Sequence, residues 1–237
     1  MSSDIILVAL DTETTDKYPS TAEIVQIAAV GSTAKGDKDV LYNGLCCPSS
    51  GEISVEASEI HGYYIEDLKQ YPCDLYASWY LEQLLKDMQA EATMILVTYN
   101  GESYDLPILK RYGVKSYTHH IDLYRLVQRH PELWGMDLKL VNVYENYMGK
   151  PLTGAHDALA DVYAVLDILQ KFMTERNFTP MQLVEKLKVP EILQVCHFGK
   201  HMGKVYPNVP TGYLRWVRDN WDNINCDMEL TLNQYLR

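Results

Sequence analysis

Asp11-Thr12-Glu13 stands directly after an apolar run, Ile5–Leu10. In an extended chain, residues two apart point to one face, so the two carboxylates converge where that run ends. A set of oxygen-only ligands suits a hard divalent cation, Mg²⁺ or Mn²⁺, better than zinc. A D-x-E triplet is expected roughly once by chance in a chain of this size, and alone it reads as two solvated acids at a turn. A second acid, Asp105, closes the segment Tyr99-Asn-Gly-Glu-Ser-Tyr-Asp105, where a strand gives way to a helix and an acid would ordinarily serve as a cap. Glu102 in the same loop has nothing in its spacing to set it apart from a solvated charge.

The third element is Gly154-Ala-His156-Asp-Ala-Leu-Ala-Asp161. Residues five apart on one helix lie roughly 140° apart around its axis, so His156 and Asp161 share no helical face. They converge if His156 precedes the helix, Asp157 caps it and Asp161 sits one turn in, toward the sheet with Ala158, Val162 and Val165. A carboxylate on an apolar helix face is costly unless paired or metal-bound, which marks Asp161 as a ligand candidate.

The elements that must hold these residues follow from periodicity. Ile5–Leu10, Glu23–Val30 and Asp39–Leu45 read as three strands in hairpin succession, Thr93–Thr98 as a fourth and His119–Leu123 as a fifth. Helical spacing is present over Leu75–Met88, Asp105–Tyr112, Asp137–Tyr147 with Asp137 as N-cap, Asp157–Thr174, and Thr179–Leu187 with Thr179 as N-cap. Strands first, then strands alternating with helices, predict an α/β fold whose mixed five-stranded sheet is antiparallel on one side, parallel on the other and flanked by helices. After Pro190 the character changes: His197–Lys204 reads as a glycine-turned hairpin and Thr211–Asn220 as a helix. The expected organisation is a main domain over 1–189 and a small α+β module over 190–237.

Composition sets limits on function. The 237 residues, 47% hydrophobic and 22% charged, describe an ordinary folded chain with a sizeable core. No apolar run reaches membrane-spanning length, and Asp4 and Asp11 flank the longest one where a signal peptide would carry positive charge. Five cysteines without a C-x-x-C pair argue against a disulfide framework or structural zinc, so a soluble cytoplasmic protein in a reducing compartment is expected. A net charge of −11 argues against nucleic-acid binding by bulk electrostatics, yet residues 195–218 hold Lys200, Lys204, Arg215 and Arg218 and no acid, +4 against −15 for the remainder. His119, His120 and His130 lack ligand spacing, Asp122 reads as a helix cap, and Trp79, Trp134 and Trp221 read as core. Tyr213 and Trp216, three apart on the basic helix, are candidates for base stacking.

Taken together, Asp11-x-Glu13, Asp105 in its Y-N-G-x-x-x-D setting, and H-x-A-x-x-D from His156 to Asp161 resemble the DEDDh class of 3′ to 5′ exonucleases on the ribonuclease H-like fold. The sister class carries tyrosine four residues before the last acid, whereas position 157 here is Asp. The likeness covers roughly residues 4–175. Leu138–Tyr144, Gly149–Asp161 and the tail P-E-I-L-Q-V-C-H-F-G-K-H-M-G-K with V-P-T-G-Y-L-R-W are similar to exodeoxyribonuclease X-like proteins.

The resemblance implies hydrolysis of DNA from its 3′ end with two Mg²⁺ ions, replaceable by Mn²⁺. It makes Asp11 the bridging ligand, gives Glu13 and Asp161 to the ion beside the attacking water, and gives Asp105 to the second ion. His156 is then the general base, since imidazole titrates near neutrality. Thr14 and His61 occupy places where relatives line the terminal nucleotide. Lys200, Lys204, Arg215 and Arg218 are candidate substrate contacts, with protein docking as the other reading of the module. An RNA-trimming enzyme with the same site, or a non-catalytic interaction module, are the competing functions; oligomeric state is not legible.

Overall fold

Alternation along the first strand decides which side of the sheet each residue meets. The computed structural model describes residues 5–33, 36–221 and 224–236. Its elements run β1 (Ile5–Thr14), β2 (Ile24–Thr33), β3 (Lys38–Leu45), α1 (Val55–His61), α2 (Ile65–Leu68), α3 (Asp74–Glu91), β4 (Thr93–Thr98), α4 (Asp105–Arg111), β5 (His119–Asp122), α5 (Leu123–Arg129), α6 (Leu140–Met148), α7 (Ala158–Arg176), α8 (Pro180–Lys188), α9 (Thr211–Asn220) and α10 (Cys226–Tyr235). The sheet order is β3-β2-β1-β4-β5, antiparallel across β1–β2 and β2–β3 and parallel across β1–β4 and β4–β5. The expected mixed sheet is therefore present, and no helix among the described residues is long and apolar enough to cross a membrane.

Leu7 and Ala9 of β1, with Ala28 and Val30 of β2, join Val162, Val165 and Leu169 of α7 in one core. Val8, Leu10, Ile27 and Ala29 face the other way, onto Ala77, Leu81 and Leu85 of α3. Burying branched side chains on both faces is the arrangement that a continuous apolar strand requires. A third cluster, built on Leu193, Cys196, Tyr206, Leu214, Val217, Met228 and Leu232, forms the core of the C-terminal residues.

Several local expectations are corrected. The first strand does not stop at Leu10 but runs to Thr14, because β2 pairs with it throughout, Asp11 opposite Ala28 and Glu13 opposite Gln26. Asp137 does not cap a helix: α6 begins at Leu140, and Asp137 instead accepts from Lys139 N (2.8 Å) and Asn142 Nδ2 (2.7 Å), holding the preceding turn. The hairpin over 197–204 reduces to one antiparallel bridge, Val195↔Val205, around a short turn. Trp79 is not core but 55% exposed on α3 beside Tyr76, while Trp134 is buried. Glu102 is no free charge; it pairs with Arg125 at 3.2 Å. Thr179 and Pro180 open α8 through a full capping box, Asp157 caps α7, and Asp122 caps α5, as their types anticipate.

Candidate active site

β4 pairs with β1 only as far as Ala9, so the last residues of β1 project beyond the parallel strand. Asp11 and Glu13 lie on the face of Leu7 and Ala9, the face that α7 covers. Thr12 points the opposite way, and Asp105, first residue of α4 and 3% exposed, fills the gap: its Oδ1 accepts from Thr12 N (3.1 Å) and Thr12 Oγ1 (2.6 Å). A strand edge left open by β4 is thus closed by a carboxylate.

The N-terminus of α7 is pinned to the same strand end. Asp157 Oδ1 accepts from Leu159 N (3.0 Å) and Ala160 N (3.2 Å), while its Oδ2 meets Tyr63 OH (3.3 Å) and Gln26 Nε2 (3.5 Å). Gln26 Oε1 accepts from Ala158 N (3.2 Å). Gln26 stands opposite Glu13 in the ladder, so this clamp fixes the first turn of α7, and with it Asp161, over the acids of β1. Oxygens of Asp11, Glu13 and Asp161 all lie within 4.8 Å of one another.

Each of these groups resists ionisation. Burial and then the charges of Asp105, Glu13 and Asp161 hold Asp11 well above the carboxylate range. Burial and the neighbouring Asp161 and Asp105 push Glu13 up to about 8. Burial raises Asp161 to about 6 and Asp105 to about 6, the latter against the opposing bonds from Thr12. Like charges gathered in a partly dry site raise one another in this way, and a cation there would reverse the effect. Three oxygen donors at such spacing fit a hard divalent ion.

His156 enters differently from the acids. Its backbone is left-handed, φ 68°, and its N–H donates to Asp161 Oδ2 at 3.3 Å, while the side chain is exposed at the rim. The structure thus ties the main chain of His156 to Asp161 and gives the ring no hydrogen bond among the described residues.

Beside Glu13 a groove of about 590 Å³ is lined by Thr14, Lys17, Ile60, His61 and Tyr104 among others. Both expected groove residues, Thr14 and His61, are brought to it, though their polar atoms are engaged. Thr14 Oγ1 bonds the Tyr104 hydroxyl and Asp16 O. Tyr63 N–H can only donate, so His61 Nδ1 accepts from it (3.0 Å) and Nε2 carries the proton that reaches Thr14 O (3.2 Å). Burial keeps this imidazole below its usual range and therefore neutral. What His61 offers a ligand is its ring face. Tyr104, Thr12 and Gln26 had no separate signal in the sequence, except that Tyr104 lies inside the motif ending at Asp105.

None of the four C-terminal cations lines this groove. Lys200 Nζ lies over the Tyr213 ring (5.6 Å), Lys204 Nζ is 3.2 Å from His201 Nδ1, Arg218 Nε donates to Asp219 (2.9 Å), and Arg215 is exposed. Tyr213 stacks on Phe198 and Trp216, so its ring belongs to the packing of this segment.

Residues 53–152 match the family model of the ribonuclease H superfamily, a stretch that includes Asp105 and leaves β1 and α7 outside it. Over 84 residues the chain is 33% identical to exodeoxyribonuclease 10 of Escherichia coli (strain K12), covering 34% of this chain and 38% of that protein, so the match spans well under half of the relative. Among solved structures it resembles E. coli exonuclease I in complex with a dA16 oligonucleotide, at TM-score 0.61, 16% identity, and coverage of 79% of this chain and 43% of the other. A 3′-exonuclease that recognises the histone mRNA stem-loop matches at TM-score 0.59 and 13% identity, over 74% of this chain and 84% of the other. At these identities the likeness is one of fold.

Proposed function

From a chain of ribonuclease H-like fold, related over part of its length to exodeoxyribonuclease 10, we infer a metal-dependent 3′ to 5′ exonuclease acting on DNA. The observation that carries this reading is the convergence of Asp11, Glu13 and Asp161 oxygens within 4.8 Å, with Asp105 buried against the same strand. Those three carboxylates would hold one divalent ion, and Asp105 together with Asp11 a second. Bound Mg²⁺, or Mn²⁺ in its place, would supply the positive charge that favours attack by water and departure of the 3′ oxygen.

The remaining work falls to the protein. Asp157, Gln26 and Tyr63 keep Asp161 over β1, and Thr12 keeps Asp105 at the strand edge. His156, exposed at the rim with its main chain bonded to Asp161, takes the proton of the attacking water through its free ring. The face of His61 and the side of Tyr104 bound the groove beside Glu13, where the terminal nucleotide sits. The segment from Pro190 onward is a separate module that holds longer substrate, with Lys200, Lys204, Arg215 and Arg218 as phosphate contacts away from the chemistry.

Incubation with Mg²⁺ and single-stranded DNA, duplex DNA and RNA of one sequence, each labelled at the 5′ end, tests the whole reading. A ladder shortening from the 3′ end of DNA supports it. Internal cuts, or shortening of RNA alone, would replace it with endonuclease or RNA-trimming activity.

A further inference from the structure

A second groove, about 320 Å³, opens on the far side of Tyr104 between the loop after β4 and the C-terminal residues. Lys17 and Tyr104 line both this groove and the one beside Glu13, so the two adjoin at the Tyr104 ring. Among the described residues that line the second groove there is no carboxylate, and Lys17 is their sole full charge, in a chain of net −11. Its size falls in the range of about 300–1,000 Å³ typical of clefts that take small ligands.

Besides Tyr104, Trp221 and Tyr124 stand in its wall, each packed on a neighbouring ring. Trp221, at the end of α9, rests on Phe198 with ring centroids 4.5 Å apart, and Tyr124 meets Tyr99 edge-on at 5.6 Å. The polar part of the wall is equally ordered. Met228 N–H can only donate, which makes its partner Asn225 Oδ1 (3.0 Å); Asn225 Nδ2 then donates to Gln128 Oε1 (2.7 Å), and Gln128 Nε2 to His197 Nε2 (2.9 Å). The His197 proton is thereby placed on Nδ1, a buried donor without a protein acceptor, and burial holds this ring neutral by lowering it to about 4.

The geometry points to this groove as the path of a single DNA strand: the nucleotides immediately 5′ of the terminal one cross Tyr104, a base stacks on Trp221, and Lys17 meets a phosphate. Aromatic rings that accept any base, together with a cation for the backbone, are what sequence-tolerant single-strand binding uses. The inference rests on the exonuclease reading and deepens it, assigning the nucleotides next to the terminal one to the seam with the C-terminal module, ahead of any contact that a longer strand makes with that module's four outer cations.

The test is the affinity of the full chain for 5′-labelled thymidine oligonucleotides of two, four and eight residues, with Ca²⁺ replacing Mg²⁺ so that no turnover intervenes. The eight-residue to two-residue affinity ratio should fall by about 5- to 100-fold in Trp221→Ala, the worth of one lost base–aromatic stack, and be largely kept in Trp221→Phe. Trp221→Leu, which retains apolar bulk against Phe198, should behave as Trp221→Ala does, and it replaces that variant if Ala impairs folding. Lys17→Gln should shallow the log–log salt slope by about 0.7, one single-strand phosphate contact. An unchanged length ratio in both Trp221→Ala and Trp221→Leu, or an equal loss at every length, overturns the path. Binding with the expected length ratio but no hydrolysis of any strand in Mg²⁺ would overturn the exonuclease reading and leave the path standing.

Discussion

Arg129 closes on Asp227 with two bonds, Nε to Oδ2 at 2.8 Å and Nη2 to Oδ1 at 2.7 Å, and Asp227 is fully buried. The guanidinium comes from α5, which follows the last strand of the sheet, and the carboxylate from α10, so one ion pair fastens the core of the C-terminal residues to the core around the sheet. Arg125 extends the link: it reaches Asp227 Oδ1 at 3.3 Å and Glu102 Oε1 at 3.2 Å, in the loop that leads to Asp105.

Asp227→Ala should destabilise the protein by about 3–5 kcal/mol, since it takes the buried carboxylate from two largely buried guanidiniums and leaves Arg125 only Glu102 and Arg129 only Glu191, both partly exposed. Despite burial, bonds from Arg129 and from Glu191 N–H hold the Asp227 carboxyl below its ordinary value. A lowered folded pKa contributes stability above the unfolded value near 3.9 that is lost as pH falls through the folded one. Urea titrations should show the cost of Asp227→Ala at pH 7 shrinking below about pH 4; a cost that persists there would mean packing, not charge, dominates.

The acid cluster has the opposite sign. Glu13 at about 8 and Asp105 and Asp161 at about 6 lie above their unfolded values, so the metal-free folded state binds more protons than the unfolded chain across that interval. Stability of the metal-free protein should fall as pH rises from about 4 to 8. Asp161→Asn should raise the metal-free Tm at pH 8, and Mg²⁺ or Mn²⁺ should raise that of the parent but not of the variant. A metal-free Tm independent of pH across this interval would contradict the proposed crowding of charges.

Replacing Asp11, Glu13 or Asp161 by Ala should remove nearly all hydrolysis while the protein stays folded. Thr12→Val should be milder: it deletes the 2.6 Å hydroxyl bond to Asp105 and keeps the backbone bond, so kcat should drop about tenfold, near the worth of one hydrogen bond to a charged group. Full activity in Thr12→Val would show that the backbone bond alone positions Asp105.

His156 joins function and strain in one residue. At φ 68° a side chain costs roughly 1–2 kcal/mol that glycine avoids. His156→Gly should therefore raise stability by about 1 kcal/mol while kcat falls by roughly 10²- to 10⁴-fold, the usual worth of a general base. Equal activity with an unaltered pH profile would leave the imidazole without a catalytic role.

Neutralising Lys200, Lys204, Arg215 and Arg218 together should shallow the salt slope of long-strand binding by about 3, at roughly 0.7 per phosphate contact. An unchanged slope with unchanged affinity would assign these charges to the surface of a docking module.

Local chemistry was legible without coordinates. The acids, their order, the cap at Asp157 and the position of His156 ahead of its helix follow from residue type and short-range period, because each depends on neighbours within a few positions, and the mixed sheet follows from the order of strands and helices along the chain. Pairing across the sheet decided the rest. Only β2 shows that β1 continues through Glu13, and only the early end of β4 makes room for Asp105 against Thr12, 93 positions away. Residue type likewise misplaced Trp79, which stands exposed on α3, and offered no hint that Tyr104 separates two grooves or that Arg129 finds Asp227 across 98 residues. Such contacts are set by how the layers pack, and packing depends on the shape of surfaces that form only once distant segments meet.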